Sequence, residues 1–188
     1  MTKNIAEALT RKISQIKLLI LDVDGTMTDG KISYSINGSD IKQFDVHDGF
    51  GIKMLQVAGI RIAIVSSKSS VTIEKRFREL EIEDKFLGIS NKLMVYKNLK
   101  EKYHLTDEQI GCVGDDIPDI PVLKYVGFSV AVNNAVDEVK QIADYITHKN
   151  GGFGAIREIA ELILKTKGVF QEIIEKKIAD WEKEAGYK

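Results

Sequence analysis

Two carboxylates at the end of an apolar run are the residues of this sequence best suited to chemistry. The aliphatic run Leu18–Leu21 is followed within a few positions by Asp22, Asp24 and Gly25. Such a run is typical of a strand buried on both faces of a parallel sheet, and parallel sheets bind ligands beyond the carboxyl ends of their strands. The sequence therefore predicts that Asp22 and Asp24 lie at the ligand-binding edge of a sheet.

Three interpretations of this aspartate pair are open from the local sequence. The two acids can simply initiate turns. A calcium-binding EF-hand loop needs a further acid or amide two residues on, then glycine and a distal glutamate, and residues 26–28 (Thr-Met-Thr) supply none of these. In the third interpretation one carboxylate attacks a phosphoryl group while its neighbour handles the proton of the leaving alcohol. That interpretation predicts further polar residues downstream.

Polar residues do follow two later predicted strands. They are Ser66 after the second buried run, and Asp115, Asp116 and Asp119 after the third. Taken alone, each has an ordinary role as a cap or loop residue, but their common placement at strand ends favours one site. Phosphoryl transfer requires positioning and charge neutralisation, and Mg²⁺ binds one or two carboxylates plus waters and substrate oxygens. Asp22 and Asp115 are the predicted carboxylate ligands of Mg²⁺.

The remaining sequence predicts the elements that position these residues. Strands and helices alternate, which indicates a doubly wound, mainly parallel α/β sheet. Runs at 31–36 and 41–46 flank an Asn-Gly pair and predict a β-hairpin after the first strand. A helix at 51–58 is expected to have Asp48 as its N-cap. The other predicted elements are amphipathic helices within 1–17 and at 169–182, helices at 71–80, 92–103, 117–125 and 155–165, and strands at 61–66, 85–87, 110–114, 128–132 and 145–147.

Three local patterns add detail to these elements. The first helix has Ile5, Leu9, Ile13 and Ile16 at helical spacing. Residues 106–109 (Thr-Asp-Glu-Gln) have the spacing of a capping box. Taken alone, the glycine-rich run at 151–154 indicates a flexible turn before a helix.

Composition sets the broad class. The 188 residues are 44% hydrophobic, which suits one domain spanning 1–188. A formal net charge of −1 favours neither nucleic acid nor an anionic membrane as a partner. The single cysteine, Cys112, excludes an intrachain disulfide framework and indicates a reducing compartment. No run is long and apolar enough to span a bilayer, so a cytoplasmic protein is expected.

Taken together, the motifs resemble those of the haloacid dehalogenase superfamily of phosphohydrolases. The matching elements, in order, are Asp22-x-Asp24-Gly25-Thr26, the hydroxyl of Ser66, Lys92, and Gly114-Asp115-Asp116-x-x-Asp119. The resemblance implies that Asp22 forms an aspartyl-phosphate, while Asp24 protonates the leaving oxygen and then activates water. Ion pumps of the superfamily have lysine in place of Asp24, so water is the expected final acceptor.

The resemblance also assigns the surrounding residues. Mg²⁺ would bind Asp22, Asp115 and the backbone carbonyl of Asp24. Ser66 and Lys92 would hold the phosphoryl oxygens. Asp116 and Asp119 would not bind the metal directly but would hydrogen-bond to metal-bound water or to Lys92.

Within the superfamily, the short gaps between motifs leave no room for a cap domain. This arrangement resembles the 3-deoxy-D-manno-octulosonate 8-phosphate phosphatases. The supporting motifs are Asp29-Gly30, Asp48-Gly49-x-Gly51, Ser90-Asn91-Lys92-Leu93 and Gly151-Gly152-x-Gly154-Ala155-x-Arg157-Glu158. The resemblance implies a homotetramer in which hairpins form a central barrel and neighbours close each site. It also implies a small anionic sugar-phosphate substrate and a role in making the inner sugar of lipopolysaccharide.

Two departures from that family keep the substrate open. Ser67-Lys68 replaces a common Gly-Arg pair, and His47 replaces a common arginine. Lysine keeps the charge but loses the bidentate fork for a carboxylate. Ser67 and Lys68 are nevertheless expected at the substrate, and Arg157 is either an anion contact or part of a structural ion pair. The alternatives are a nine-carbon ulosonic acid 9-phosphate as substrate, a phosphate-transferring mutase, and a non-catalytic tetramerisation module.

Overall fold

The parallel sheet predicted from the sequence is present in the computed structural model, which describes residues 3–38 and 40–187. In chain order the strands are β1 (Leu18–Leu21), β2 (Ser33–Tyr34), β3 (Asp40–Ile41), β4 (Arg61–Ser66), β5 (Asp84–Leu87), β6 (Ile110–Gly114), β7 (Phe128–Ala131) and β8 (Tyr145–Ile146). The helices are α1 (Lys3–Ser14), α2 (Val46–Val57), α3 (Val71–Glu79), α4 (Lys92–Lys102), α5 (Ile120–Leu123), α6 (Asp137–Lys140), α7 (Ala155–Thr166) and α8 (Phe170–Glu184).

The main sheet has the strand order β5-β4-β1-β6-β7-β8, with every neighbouring pair parallel. All four side chains of β1 are buried, because helices cover both faces of the sheet's centre. After β1 the chain builds outward through β4 and β5, and then returns to place β6 on the other side of β1. This reversal is a topological switch point, where open α/β sheets form a ligand crevice. It lies between the strands that end at Asp22 and Asp115.

The predicted hairpin is present but shorter than expected. β2 and β3 pair in antiparallel fashion, with Ser33 opposite Ile41 and Tyr34 opposite Asp40. Gly38 in the turn has φ of 81°, as the Asn-Gly pair predicts, while Ser39 of the same predicted turn lies outside the described residues. The prediction that the hairpin extends to residue 46 was wrong.

The second arm ends early because α2 begins earlier than the sequence predicted. Asp45 is its N-cap, and the Asp45 side chain accepts the backbone N–H of His47 at 2.6 Å. The predicted helix start at 51 and the predicted N-cap Asp48 were therefore both wrong. The helix already includes the Asp48-Gly49-x-Gly51 motif in its first turns.

Asp48 caps a different helix. Its carboxylate is buried and accepts the backbone N–H of Arg157, in the first turn of α7, at 2.7 Å. Gly154 occupies the N-cap position of α7 and has no side chain to offer. Burial raises the pKa of Asp48 to about 6. A side chain of α2 thus accepts a backbone N–H in the first turn of α7 that has no acceptor within its own helix. The two helices also pack closely at Gly51, where a Cβ would lie 3.1 Å from the Arg157 Cα.

Several other elements differ from expectation only in detail. The segment predicted as one helix at 117–125 consists of a 3₁₀ turn at 117–119 followed by α5, with a proline at the start of each. The short helix α6 was not predicted. The capping box at Thr106 is confirmed, since its backbone N–H donates to the Gln109 side chain at 3.2 Å.

Both terminal helices pack on this chain. Ile13 and Ile16, at and just beyond the end of α1, are buried, as their spacing predicted. The predicted contribution of Ile5 lies outside the described side chains. In α8, Ile173 is buried and the Trp181 ring lies 6.0 Å from that of Phe50 on α2. No helix in the described part of the chain is both long and apolar enough to cross a bilayer.

Candidate active site

A buried lysine joins the ends of two strands across the switch point. Lys92 is the first residue of α4, and its Nζ donates to Asp22 Oδ1 and to Asp119 Oδ1, both at 2.6 Å. All three side chains are less than 10% exposed. The carboxylates outweigh the effect of burial on Lys92, and its pKa lies above its ordinary value. Lys92 is therefore a fixed cation between two carboxylates.

Asp119 organises the loop that follows β6. Its Oδ2 accepts the backbone N–H groups of Asp115 at 3.1 Å and Asp116 at 3.3 Å, while its Oδ1 faces Lys92. Gly114 makes this fold-back possible, because a Cβ there would lie 2.5 Å from the Asp119 Cβ. Both oxygens of Asp119 thus have partners within the protein. This arrangement supports a positioning role for Asp119.

Asp115 meets the turn that follows β1. The Thr26 hydroxyl donates to Asp115 Oδ1 at 3.0 Å. Gly25 has φ of +96°, and a Cβ on it would lie only 2.0 Å from Asp115 Oδ2. Glycine is therefore required at this position by both the backbone conformation and the close approach of the second carboxylate. The two halves of the predicted site meet at this contact.

The carboxylates converge strongly enough to disfavour their charged forms. Oxygens of Asp22, Asp115 and Asp119 lie within 4.8 Å of one another. Burial, followed by the charge of Asp119, raises the pKa of Asp22 to about 8 and that of Asp115 to about 6. Lys92 offsets only part of this repulsion. The donor set is all oxygen and negatively charged, which fits a hard divalent cation such as Mg²⁺.

Asp24 lies beside this cluster, and its side chain is partly exposed. Its Oδ1 accepts a hydrogen bond from the Lys42 ammonium group, which comes from the second arm of the hairpin. The Lys42 side chain is only 5% exposed. Sequence reasoning did not identify Lys42. In the structure Lys42 and Phe44 are directed inward and Ile41 and Gln43 outward, an alternation that the residue types alone do not indicate.

The predicted hydroxyl residue lies at the end of β4, next to β1 in the sheet. Ser66 is 1% exposed, and its Oγ accepts the backbone N–H of Lys68 at 3.1 Å. Ser67 and Lys68 are exposed on the loop that follows. Lys68 also lines a cleft of about 670 Å³ between the hairpin and the start of α3, together with Lys42 and Tyr34. Ser66, Ser67 and Lys68 thus lie at the carboxyl end of β4, beside the strand that ends at Asp22, and their contact with a substrate stays a prediction.

Two predicted site residues are engaged elsewhere. Asp116 is exposed, and its Oδ1 accepts the backbone N–H of Ile117 at 2.7 Å, so it caps its own turn. The Arg157 Nε donates to Glu161 at 2.8 Å, and its guanidinium lies 5.5 Å from the centre of the Phe50 ring. Arg157 therefore takes part in the structural ion pair that the sequence offered as one of its two roles, and its contact with a substrate anion stays a prediction.

The glycine-rich loop before α7 packs against the turn that follows β1. A Cβ on Gly151 would lie 1.7 Å from the Gly25 carbonyl oxygen, and the Gly152 N–H donates to the Thr26 carbonyl at 3.2 Å. The sequence indicated only a flexible turn here. The structure shows that the missing side chain at Gly151 permits direct backbone packing against the turn after Asp24.

Comparison with known proteins agrees with this geometry. Over 161 residues the chain is 42% identical to the 3-deoxy-D-manno-octulosonate 8-phosphate phosphatase KdsC of Salmonella typhi, with 86% of each chain covered. The chain belongs to the 3-deoxy-D-manno-octulosonate 8-phosphate phosphatase family. The resemblance inferred from the motifs is thus confirmed. Residues 87–159 of this chain also match the family model of the haloacid dehalogenase-like hydrolases.

Solved structures of family members share the fold. The Yersinia pestis phosphatase superimposes with a TM-score of 0.86 and 37% identity, covering 88% of this chain and 89% of that one. The Moraxella catarrhalis phosphatase, solved in complex with magnesium ion, phosphate ion and KDO, has a TM-score of 0.88 and 36% identity. It covers 94% of this chain and 99% of that one. The doubly wound haloacid dehalogenase fold predicted for this chain is confirmed.

Proposed function

We propose that this chain is a Mg²⁺-dependent phosphatase that releases phosphate from 3-deoxy-D-manno-octulosonate 8-phosphate in lipopolysaccharide biosynthesis. The observation that carries the proposal is the Lys92 bridge, which holds Asp22 at a strand end beside Asp115 and close to Asp24 in sequence. A nucleophilic carboxylate, an oxygen-rich cation site and a second carboxylate for proton transfer are the parts that this hydrolysis needs.

In the first half of the proposed reaction, Asp22 attacks phosphorus and the bond from phosphorus to the sugar oxygen breaks. Asp24 gives its proton to that oxygen, so the sugar acid leaves as an alcohol. In the second half, Asp24 takes a proton from water as the water attacks phosphorus, and the bond to Asp22 breaks. Both carboxylates return to their starting states, and inorganic phosphate is released.

The cation site comprises the side chains of Asp22 and Asp115 and the backbone carbonyl of Asp24. Mg²⁺ held by these residues would supply positive charge that offsets the negative charge of phosphoryl transfer. Asp119 is better suited to positioning, because its two oxygens already hold Lys92 and the loop amides. Asp116 is proposed to act near the metal-bound water rather than as a ligand.

The phosphoryl oxygens are proposed to contact Ser66, Ser67 and Lys92, and the sugar acid to lie toward Lys68. Lys68 is exposed and lines the cleft between the hairpin and α3, and the same cleft is lined by Lys42, whose ammonium group contacts Asp24. Its ammonium group is a point charge for the substrate carboxylate and lacks the bidentate geometry of arginine. This difference, together with His47 in place of a common arginine, keeps a nine-carbon ulosonic acid 9-phosphate as the second candidate substrate.

The expected result with purified enzyme and Mg²⁺ is a higher kcat/KM for the eight-carbon than for the nine-carbon sugar acid phosphate. The kcat/KM for both substrates should fall in Lys68→Met and be largely retained in Lys68→Arg, because the charge meets the carboxylate that both substrates carry. Steady-state release of inorganic phosphate measures both constants. A strong preference for a neutral sugar phosphate would contradict the proposal. Absence of turnover with every sugar phosphate would favour the non-catalytic module.

A homotetramer in the cytoplasm is part of the same proposal, with 1–188 acting as one domain. Its support is a set of exposed apolar side chains on and around the hairpin, which a monomer would leave in water. They are Ile32, Tyr34, Ile36, Ile41, Val46 and Val71. The hairpin also presents short unpaired strand edges. Subunit contact would cover both features and close a site that has no cap domain.

Light scattering during gel filtration should therefore give the mass of four chains. Replacing Ile36, the most exposed of these residues, by aspartate should shift the protein toward smaller species, because the charge would be buried on assembly. Asp22 and Lys92 lie outside this surface, so the substitution changes neither of these proposed site residues. A fully active monomer would contradict the shared-site part of the proposal.

A further inference from the structure

The hairpin arm, meaning residues 40–44 with β3 at their start, carries Lys42 and is fixed to the body of the protein at both ends. The Thr72 hydroxyl, in the first turn of α3, donates to the Asp40 carbonyl at 3.2 Å. At the other end, the Phe44 ring packs edge-on against the buried Phe77 ring at 6.1 Å. Lys42 lies midway between these two attachments. Its backbone position is therefore set by α3.

Lys42 extends from this arm toward the catalytic turn. Its ammonium group contacts Asp24 Oδ1 and lies 3.9 Å from Asp40 Oδ2. The side chain is almost fully buried, so the contact is not a solvated surface ion pair. With two carboxylates as neighbours, Lys42 has little unpaired charge to offer an anionic substrate. The exposed Lys68 is the better anion contact.

We propose that Lys42 is a positioning residue that holds the Asp24 carboxylate in the orientation needed for proton transfer. Asp24 lies on a turn, and its carboxylate would otherwise rotate freely at the mouth of the site. The ion pair with Lys42 fixes that rotation through an arm anchored to α3. This inference rests on the proposed function, because it assigns Lys42 a role through the acid-base work of Asp24. It extends the catalytic machinery to the hairpin.

The test compares Lys42→Met with Lys42→Arg and with Lys31→Met. Methionine keeps the length and removes the charge, whereas arginine keeps the charge. Lys31 is a matched control in the same region, since its side chain is 81% exposed and pairs with Asp29 at the surface. Lys42→Met should lower kcat on the sugar phosphate roughly 10²-fold, at the lower end of what acid-base catalysis contributes. KM should change little, Lys42→Arg should recover much of the loss, and Lys31→Met should match the wild type.

A substrate with a good leaving group separates positioning from general damage. With p-nitrophenyl phosphate, the phenolate departs without needing a proton, whereas hydrolysis of the aspartyl-phosphate still needs Asp24 as a base. Lys42→Met should therefore retain a fast first turnover and show a slowed steady state. Equal slowing of both phases would overturn the inference, as would an unchanged kcat or a loss confined to KM.

A second variant keeps the test decisive if Lys42→Met does not fold. Thr72→Val removes the hydrogen bond to Asp40 and loosens the arm, so it should lower kcat in the same direction by a smaller factor, again without slowing the first p-nitrophenyl turnover. A Thr72→Val enzyme with wild-type kcat would count against the inference.

Failure of the proposed function is distinguished by a different variant, because that function is wrong if Asp22→Asn remains active. An enzyme that depends on Asp22 but not on Lys42 overturns only the present inference.

Discussion

Asp22→Asn is expected to lower kcat/KM by roughly 10⁴-fold or more, the scale on which loss of a catalytic nucleophile is felt. The amide keeps the size of the side chain and can still accept a hydrogen bond from Lys92, but it cannot attack phosphorus. Steady-state phosphate release at saturating Mg²⁺ measures the effect. The variant should remain folded, which circular dichroism and a thermal melt would check.

The matched control for this change is Asp137→Asn. Asp137 is an exposed acid in the first turn of α6, so the same loss of one charge occurs there without contact to the site. Its kcat/KM should equal that of the wild type. An Asp22→Asn enzyme with normal Mg²⁺-dependent activity would refute the assignment of Asp22 as nucleophile.

Lys92→Met should affect both activity and stability. The substitution leaves Asp22 and Asp119 buried without the cation that now lies 2.6 Å from each. Removing one partner of a buried ion pair costs about 3 kcal/mol or more of unfolding free energy. Loss of a positioned cation at the phosphoryl group should also lower kcat by roughly 10²- to 10³-fold. Urea denaturation in EDTA and phosphate release in Mg²⁺ measure the two effects.

Added Mg²⁺ distinguishes this explanation from a simple packing defect. A divalent cation among the carboxylates should restore more stability to Lys92→Met than it adds to the wild type, because it replaces part of the missing charge. Lys97→Met, on the exposed side of the same helix, should change unfolding free energy by less than about 0.5 kcal/mol. If Lys92→Met were as stable as the wild type in EDTA, the electrostatic account of the cluster would be wrong.

The strand-end residues could be predicted because their signals are local. The aliphatic run of β1 ends where Asp22 begins, and the run of β6 ends one residue before Asp115. The register pairs Leu21 with Val113, so parallel pairing alone brings the two aspartates to the same edge. Ser66 was placed in the same way by the end of β4. Hydrophobic pattern and topology were sufficient for these residues.

Other contacts depend on how distant segments fold back, and the sequence carries little signal for them. Asp48 resembles an N-cap of its own helix, but Asp45 takes that position and Asp48 caps α7, 109 residues away. Lys42 resembles a solvated hairpin lysine until α3 fixes the arm against Asp24. Gly151 resembles a flexible turn until its backbone meets Gly25. In each case a tertiary contact overrides the local pattern.

The central claim is that catalysis passes through a phosphoryl group on Asp22. The most direct measurement is peptide mass spectrometry of the Asp24→Asn enzyme, quenched in acid after mixing with p-nitrophenyl phosphate and Mg²⁺, because this leaving group departs without the proton that Asp24 gives to a sugar oxygen. Without the base that activates water, the aspartyl-phosphate should accumulate. The account predicts one phosphoryl group on the peptide that contains Asp22, absent from the Asp22→Asn control. A phosphoryl group on another residue, or hydrolysis that proceeds at the wild-type rate with none trapped, would contradict it.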